Sequence, residues 1–477
     1  MKLRKCFGDK TFYRRVLKVA LPIVVGNAIS HLVSLLDNIM VSSLGTEALA
    51  GVSITNEFIF IFQLIIFGTV SAAGIFGAQF HGSGDKDGVV YTTRFKLIAT
   101  VLCAFAFIGV LWLFGDTLIA SFLHENENAG DLALTAEYAR EYMRVNMLGF
   151  VFFALAQTYA STMRETGETL IPMVSSITSV ITNFFGNAVL IYGLCGAPTL
   201  GIRGAAIATV LSHFINLLIL AIYSHAHSEK CYYANKCYQS IRIPLPLLRQ
   251  IIIKGVPIML NEFLWSLAIT MRNQSYSTRG LDTVAARTIA ANVINLMSVV
   301  YKAVGVSISI LVGGLLGEGK LEQARDSARR MCMLDILVGL GIGIPMMALS
   351  PIVPTLYGAT AGVSKIATFM LIVSGLSMPF VCYSHAAYYT MRTGGRVLIT
   401  VLLDSGWMWA VVVPTAVLLS RFTSVSIFTL YILATLAEAL KAVLCAALLR
   451  RVNWAQRLVG EAIKDEKDKA EISGNSV

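Results

Sequence analysis

Residues 21–45 read LPIVVGNAISHLVSLLDNIMVSSLG, and residues 256–280, 235 positions later, read VPIMLNEFLWSLAITMRNQSYSTRG. Polar and turn-forming residues keep their places in both copies: Pro22 and Pro257, Asn38 and Asn273, Ser42 and Ser277, Gly45 and Gly280. The same offset relates later residues: Gly82 and Gly317, Gly84 and Gly319, Arg94 and Arg329. An offset of 228 then relates Met163-Arg164 to Met391-Arg392. The chain is therefore a duplicated unit, which predicts two similar halves.

The composition indicates a membrane protein. Hydrophobic residues make up 56% of the chain and charged residues 14%, whereas soluble proteins carry roughly 25% charged residues. Residues 58–80 contain no Asp, Glu, Lys or Arg, and about 20 apolar residues suffice for a helix to cross a bilayer. Because the apolar runs are continuous rather than alternating, they favour helices over a closed barrel.

Twelve apolar segments are long enough to cross the membrane, and six of them fall in each half of the chain. Their approximate bounds are 19–43, 54–80, 96–119, 142–163, 170–193, 204–223, 252–276, 287–312, 331–351, 365–391, 397–419 and 424–448. Six spans return the chain to its starting side, so the halves have parallel topology. We expect an all-α integral membrane protein of two six-helix lobes, related by a pseudo-two-fold axis along the membrane normal.

This count divides the chain into four predicted regions. They are an N-terminal lobe (1–223), a cytoplasmic inter-lobe linker (224–250), a C-terminal lobe (251–450) and a disordered cytoplasmic tail (451–477). The linker contains Pro244 and Pro246, which favour an extended chain. Residues 461–477 are highly charged and lack aromatic residues, a composition typical of disorder.

The basic residues are sorted by loop, which predicts the orientation in the membrane. Of the 38 Lys and Arg residues, 29 lie on the side that carries both termini and only seven lie in loops on the other side. The positive-inside rule therefore places both termini in the cytoplasm, as expected of a multi-pass protein of the cell membrane. The net charge of +10 is explained by this sorting, so we expect no nucleic-acid partner.

Asp37 is the principal candidate for chemistry, because it lies deep in the first span. A carboxylate at that depth costs at least ~2.5–3.5 kcal/mol and persists where it faces protein or a water-filled cavity. Such a group can exchange a proton or, with further oxygens, hold a sodium ion. Asn183 and Asn187 are four residues apart and share one face of the fifth span. The amides of Asn183 and Asn187 either bind a cation or form hydrogen bonds that pack the helices together. The same two alternatives apply to Thr209 on the sixth span.

The second half does not repeat this arrangement, since Arg272 stands at the position that corresponds to Asp37. A matching pair of acidic sites is therefore not expected. Candidates for the substrate cavity or for a second coupling site are Glu262, Arg272, Trp265, Asp404 and His385. Glu438 and Lys441 are three residues apart, which predicts an ion pair along the twelfth span.

The motifs together resemble the multidrug and toxic compound extrusion (MATE) family. Pro22, Asp37-Asn38-Ile39-Met40-Val41 and Leu44-Gly45-Thr46-Glu47-Ala48-Leu49-Ala50 are similar to the family's opening motif. Arg164-Glu165-Thr166-Gly167 with Pro172, Asn183, Asn187 and Leu190-Ile191-Tyr192-Gly193 resembles its 4–5 loop and fifth span. Gly204-Ala205-Ala206 with Thr209 resembles its sixth span. The resemblance covers nearly the whole chain, and Asn261-Glu262-Phe263 resembles one subgroup.

The resemblance implies a cation-coupled exporter of bulky, often cationic organic compounds or amphiphiles that works by alternating access. It assigns the membrane acid to Asp37 and its neighbours to Asn183, Asn187 and Thr209. Some family members carry an acid where this chain has Asn187, so sodium and proton coupling both stay open. We expect no cofactor beyond the coupling ion, no resident metal, contact with membrane lipid, and a monomer.

Three alternatives remain at this stage. A lipid or lipid-linked precursor flippase has a similar architecture, and cationic residues lining its cavity would favour it. An intramembrane transferase requires clustered acids for Mg²⁺, and the sequence contains no DxxxD or DDxxD pattern, so we do not expect an enzyme.

One loop contains candidate zinc ligands within thirteen residues, namely His225, His227, Cys231 and Cys237. Their spacing matches no standard zinc site.

Overall fold

The computed structural model describes residues 8–123 and 131–459, and every regular element within them is helical. The helices are α1 (Lys10–Ser42), α2 (Thr46–Ser83), α3 (Lys86–Ala120), α4 (Leu132–Glu165), α5 (Leu170–Tyr192), α6 (Gly201–Ala226), α7 (Tyr233–Lys236), α8 (Leu245–Ser277), α9 (Leu281–Gly317), α10 (Leu321–Leu349), α11 (Val353–Leu356), α12 (Ala361–Thr393), α13 (Val397–Val401), α14 (Val413–Phe422), α15 (Ile427–Ala439) and α16 (Lys441–Arg451). Most of the predicted disordered tail, residues 460–477, lies outside the described residues, whereas its first part is packed against the helices and buries Trp454.

Eleven helical stretches in the described part of the chain are long and apolar enough to cross a membrane. Two of them are composite, since Val397–Phe422 includes α13 and α14, and Ile427–Arg451 includes α15 and α16. The predicted fourth span lies in α4, which is not among the eleven. Its apolar stretch is interrupted by polar residues such as Asn146, Thr158 and Thr162, which are at most 3% exposed. α4 is thus a long helix that buries polar groups.

The chain forms two compact units. The first unit comprises Val25–Gly77 and Asp85–Ile251, and the second comprises Ala78–Gly84 with the described parts of Met1–Val24 and Ile252–Val477. In the first unit, the rings of Phe62 and Phe150 stack with centroids 4.4 Å apart in a buried apolar cluster. A buried apolar cluster of the second unit joins α9, α10 and α12 to the segment at Trp454. The lobe boundaries derived from the sequence stay predictions.

The backbone of the two repeats turns at corresponding glycines. Gly45 and Gly280, which precede α2 and α9, have φ of 116° and 105°. Gly84 and Gly319, which precede α3 and α10, have φ of 76° and 77°. These left-handed conformations are accessible to glycine at little steric cost. The repeat read from the sequence therefore recurs in the turns of the structure.

Within the second unit, the ends of α2 and α9 approach each other at glycines. A Cβ atom on Gly82 would overlap the carbonyl oxygen of Gly314, and one on Gly317 would overlap that of Gln79. Gln79 and Gly314 are 235 residues apart, as are Gly82 and Gly317, so corresponding positions contact each other reciprocally. Small residues allow membrane helices to pack backbone against backbone in this way.

We predict that Gly317→Ala lowers the free energy of unfolding by about 1–3 kcal/mol, because the added methyl group displaces backbone atoms of Gln79. Unfolding in mixed detergent micelles measures the change. Gly314→Ala is the matched control on the same helix, because a Cβ there meets no atom within 4 Å. Equal stability of the two variants would contradict this account of the helix crossing.

The connection between α6 and α8 is folded, and the prediction of an extended linker is wrong for most of it. It contains α7, and the buried Arg94 of α3 donates hydrogen bonds to the carbonyl oxygens of Lys236, Cys237 and Arg242 at 2.8, 3.1 and 3.0 Å. Tyr238 adds a hydroxyl–hydroxyl hydrogen bond to Tyr159 of 2.5 Å. A guanidinium group with five donors can hold several carbonyls at once, which overrides the local preference of this polar segment.

We predict that Arg94→Gln exposes Cys237 to alkylating reagents. In the native protein Cys237 is 4% exposed, and burial raises the pKa of its thiol to about 11, so little thiolate exists at neutral pH. Release of the loop should raise the alkylation rate roughly ten- to a hundredfold, since access and thiolate fraction both increase. Peptide mass spectrometry after a timed pulse of N-ethylmaleimide measures the rate. Arg249→Gln, an exposed change in the same region, should leave the rate unchanged, and an unchanged rate in Arg94→Gln would refute the prediction.

Candidate functional site

The structure brings the predicted acid and amides of the first unit together. Asp37 lies near the end of α1 and accepts a hydrogen bond from the side-chain amide of Asn187 on α5. Asn187 is fully buried, and its amide also donates to the side-chain oxygen of Asn183 at 3.4 Å. The carboxylate is thus attached to a neighbouring helix by an amide and has no cationic partner among the described residues.

The same chain of polar groups extends to α6. The amide of Asn183 donates to the hydroxyl of Thr209 at 3.2 Å, and Thr209 donates to the carbonyl oxygen of Ala205 at 3.1 Å. Gly186 permits this contact, because a Cβ there would lie 2.9 Å from the Cβ of Ala208. All four residues predicted for the cation or proton site therefore form one connected set, Asp37–Asn187–Asn183–Thr209.

Two features of this set bear on ion binding. The side-chain oxygen of Asn187 is buried and has no hydrogen-bond partner among the described residues. Tyr142 of α4, which sequence reasoning missed, is 2% exposed, and its hydroxyl interacts with Thr209. The set offers oxygens from one carboxylate, two amides and one hydroxyl, which is a donor set for a proton or a hard monovalent cation.

In the second unit, Glu262 of α8 is paired with a base. Its carboxylate lies 3.4 Å from the guanidinium of Arg392 on α12 and accepts a hydrogen bond of 3.4 Å from the hydroxyl of Tyr388. Arg392 also donates to that hydroxyl at 3.0 Å. Glu262 is therefore held in an ion pair, which differs from the environment of Asp37.

Asp404 belongs to the same network. The amide of Asn261 donates to Asp404 at 3.1 Å and to the hydroxyl of Tyr388 at 3.4 Å, and Lys441 donates to Asp404 at 3.0 Å. Asp404 lies in a π-helical segment, Leu402–Gly406, which is followed by a second one, Met408–Val412. Such wide turns often occur at functional sites, and nothing in the local sequence predicted them.

Arg272 forms an ion pair with Glu438. The predicted pairing of Glu438 with Lys441 is wrong, because the two side chains have other ion-pair partners, Arg272 and Asp404. Each of the two side chains instead pairs with a residue on another helix.

The remaining candidates of the second half lie beside this network. Trp265 packs in an apolar cluster with Ala268, Met408 and Val412. The ring of His385 lies 5.0 Å from that of Tyr301 in an edge-on contact and 4.8 Å from that of Tyr389. Of the five candidates, only Glu262 and Asp404 are thus joined by hydrogen bonds, through Tyr388 and Asn261.

Sequence reasoning missed Arg392, because it was counted among the basic residues of a cytoplasmic loop, and it assigned Lys441 the wrong partner. α12 instead continues to Thr393, and Arg392 is 3% exposed. The repeat contained a usable signal, since Met391-Arg392 corresponds to Met163-Arg164 and lies at the end of a long helix in both halves.

The loop histidines and cysteines do not converge on a metal. No group of three or more His, Cys, Asp or Glu with metal-binding geometry occurs in residues 8–123 and 131–459. His227 stacks on Tyr223 with ring centroids 4.2 Å apart, and His225 stacks on Tyr238 at 5.9 Å. Cys231 and Cys237 are buried free thiols. These residues pack the folded linker.

Solved structures share this architecture. A crystal structure of MATE in complex with MaL6 superposes with a TM-score of 0.82 at 19% identity and covers 94% of this chain and 97% of its own. An outward-facing conformation of a multidrug resistance MATE family transporter of the MOP superfamily superposes with a TM-score of 0.83 at 20% identity and covers 94% and 96% of the two chains. The prediction of an all-helical, two-lobe membrane protein is confirmed.

Sequence comparison then identifies the family. The MatE family profile matches residues 22–189 and 257–405, one match in each repeat. The probable multidrug resistance protein NorM of Thermotoga maritima is 22% identical over 413 residues, which is 86% of either chain. The multidrug resistance protein MdtK of Edwardsiella ictaluri is 26% identical over 373 residues, 76% of this chain and 78% of its own. The chain belongs to the MATE family of membrane transporters.

We predict that Arg272→Met lowers the free energy of unfolding by about 3–5 kcal/mol, because it leaves the carboxylate of Glu438 unpaired in a poorly hydrated site. The double variant Arg272→Met/Glu438→Gln should recover most of this loss. Unfolding in mixed detergent micelles measures both. Arg140→Met is the control, because its pair with Asp116 is 42% and 72% exposed and should contribute less than about 1 kcal/mol. No recovery in the double variant would show that the two side chains are not energetically coupled.

Proposed function

We propose that this protein is an antiporter that uses Na⁺ or H⁺ to export bulky, often cationic organic compounds by alternating access. The observation that supports this most strongly is the Asp37 carboxylate, which is hydrogen-bonded to the buried amide of Asn187 and lacks a basic partner among the described residues. An intramembrane acid held only by neutral groups can change its charge or its ligand, whereas one held in an ion pair cannot do so without leaving its partner unpaired.

The side-chain amide of Asn187 can change its orientation with the protonation or ion binding of Asp37. In the observed arrangement the amide donates to the carboxylate, as an ionised Asp37 requires. A protonated Asp37 has an O–H group to donate, and rotation of the amide would present the side-chain oxygen that now lacks a partner. The same rotation would direct an amide oxygen at a sodium ion. Asn183 and Thr209 then readjust in turn, because each is hydrogen-bonded to the next.

Coupling requires that the cation and the exported compound stabilise opposite conformations, since a ligand with equal affinity for both shifts no equilibrium. In the proposed cycle, an external cation binds at Asp37 and promotes outward release of the compound. Departure of the cation into the cytoplasm allows the next compound to bind. Moving one charge through 100 mV supplies ~2.3 kcal/mol, which corresponds to roughly a fiftyfold concentration gradient per cation.

The charged network of the second unit supports an exporter over a lipid flippase. A flippase for anionic lipids would use unpaired bases to draw headgroups into its cavity. Here Arg272, Arg392 and Lys441 are paired with Glu438, Glu262 and Asp404, so the positive charge of this network is neutralised. We propose that Glu262, Asp404, Trp265 and His385 contribute polar and aromatic contacts to the compound, while Arg272 has a structural role.

The location and the oligomeric state of the protein follow from the same reasoning. The protein is a multi-pass membrane protein, and we propose that it lies in the cell membrane as a monomer in contact with lipid, with both termini in the cytoplasm. The sorting of 29 basic residues to one side of the chain supports this orientation. No cofactor besides the coupling ion is required.

We predict that Asp37→Asn abolishes coupled efflux and leaves membrane insertion intact, because the amide preserves the shape of the carboxylate but carries no exchangeable charge. Ethidium efflux from proteoliposomes, with a sodium gradient or a pH gradient imposed separately, measures transport. The wild type should respond to one of the two gradients, which names the ion, and Asp37→Asn should fall to the rate of protein-free vesicles.

Asp116→Asn is the matched control, because Asp116 is an exposed acid at the end of a spanning helix and should retain full efflux. Coupled efflux by Asp37→Asn at the wild-type rate would refute the role of the acid. Failure of the wild type to respond to either gradient, with ethidium and with other organic cations, would refute the antiporter and favour a flippase.

A further inference from the structure

The second unit contains a cavity that the transport site does not use. Its volume is about 1420 Å³, larger than the roughly 300–1,000 Å³ of ordinary small-molecule sites. It lies among α10, α12 and α16, and its lining includes Ile336, Phe380, Val443 and Leu449. Phe380 is 50% exposed and Val443 67% exposed. The body of the cavity is therefore apolar and open.

One end of the cavity is strongly basic. Arg325, Arg329, Arg450 and Arg451 all contribute to its lining. Arg325 is paired with Glu322 and donates to Asn453 at 2.8 Å. The other three are exposed, and they form no ion pair with the residues that the structure describes. Three guanidinium groups without a partner acid thus surround the same opening.

The basic and apolar parts are arranged along the helices. Ile336 follows Arg329 on α10 by seven residues, and Val443 precedes Arg450 on α16 by seven residues. At a rise of 1.5 Å per residue, each interval is about 10 Å along the helix axis. The arginines lie at the end that the loop charges assign to the cytoplasm, and the apolar residues lie deeper in the membrane. This polarity matches an anionic headgroup at the surface with acyl chains below it.

The corresponding place in the first repeat is occupied by protein. Arg94 corresponds to Arg329, and its guanidinium is engaged by carbonyl oxygens of the folded linker at 2.8, 3.0 and 3.1 Å. Arg329 contacts no such segment within the described residues. The duplicated unit therefore keeps the arginine in both copies, but only the first copy supplies its own acceptors.

We propose that this cavity binds an anionic phospholipid of the cytoplasmic leaflet, with the phosphate at Arg329, Arg450 and Arg451 and an acyl chain along Ile336, Phe380 and Val443. Neutral lipid fits the apolar part but leaves the three guanidinium groups without acceptors. The last residues of the chain, 460–477, are mostly charged or polar and do not match the apolar part. The site is independent of the transport proposal, because it uses none of the residues assigned there.

Native mass spectrometry of the purified full-length protein, titrated with dioleoyl phosphatidylglycerol or dioleoyl phosphatidylcholine, tests this proposal. The wild type should retain phosphatidylglycerol preferentially. Arg329→Gln/Arg450→Gln/Arg451→Gln should bind it about a hundredfold more weakly, on the order of fivefold for each arginine. The matched control Arg14→Gln/Arg15→Gln/Arg249→Gln removes three exposed arginines elsewhere on the same predicted side and should bind like the wild type.

Further experiments distinguish a bound phospholipid from other possible occupants of the cavity. Ala446→Trp fills the apolar part without changing any charge and should also lose the lipid, which keeps the test decisive if the triple variant does not fold. Undiminished binding in Ala446→Trp, or in a folded triple variant, would overturn the proposal. It would also be overturned if excess inorganic phosphate displaced the lipid completely, or if the lipid bound only after removal of residues 460–477, since the site would then serve free phosphate or the protein's own tail.

Discussion

The absence of water from the bilayer interior is the constraint on which this structure depends. Backbone amides without water must bond to one another, so the described chain is helical wherever it crosses the membrane. The same constraint favours paired charges, since Arg272, Arg392 and Lys441 each meet an acid on another helix. Asp37 differs from these side chains, because its partner is the amide of Asn187, and this difference makes it a candidate for reversible ion binding.

The two repeats share a framework but differ in their charged residues. The two repeats turn at corresponding glycines, with φ of 76° at Gly84 and 77° at Gly319. At membrane depth they differ, since Asp37 corresponds to Arg272. The acid in the first repeat is held by neutral groups, whereas the base in the second is held by Glu438. The first repeat thus contains an acid that is suited to a change of charge, whereas the second contains a base whose charge is balanced by an acid.

Much of the fold was predictable because its causes are local. Continuous apolar runs indicated the spans, and the i, i+4 spacing of Asn183 and Asn187 indicated a shared helix face. Only the family resemblance indicated that Thr209 lies near these amides. In the structure, hydrogen bonds join Asp37, Asn187, Asn183 and Thr209 in one set. The predictions failed where distant contacts decide. Arg94 folds the linker from another helix, and Glu438 and Lys441 pair with Arg272 and Asp404 on other helices.

The sequence by itself determined the membrane class, the duplication and most of the helical spans, because hydropathy, repeat offsets and helix periodicity are local properties of the chain. Only the tertiary structure decided the partners: Arg392 for Glu262, Lys441 for Asp404, and the linker carbonyls for Arg94. Electrostatic and hydrogen-bonding partners are set by proximity in space, and residues about 130 or 140 positions apart carry no local mark of that proximity. The open basic cavity at Arg329 was also decided by the tertiary structure, because a cavity among three helices exists only once those helices are packed.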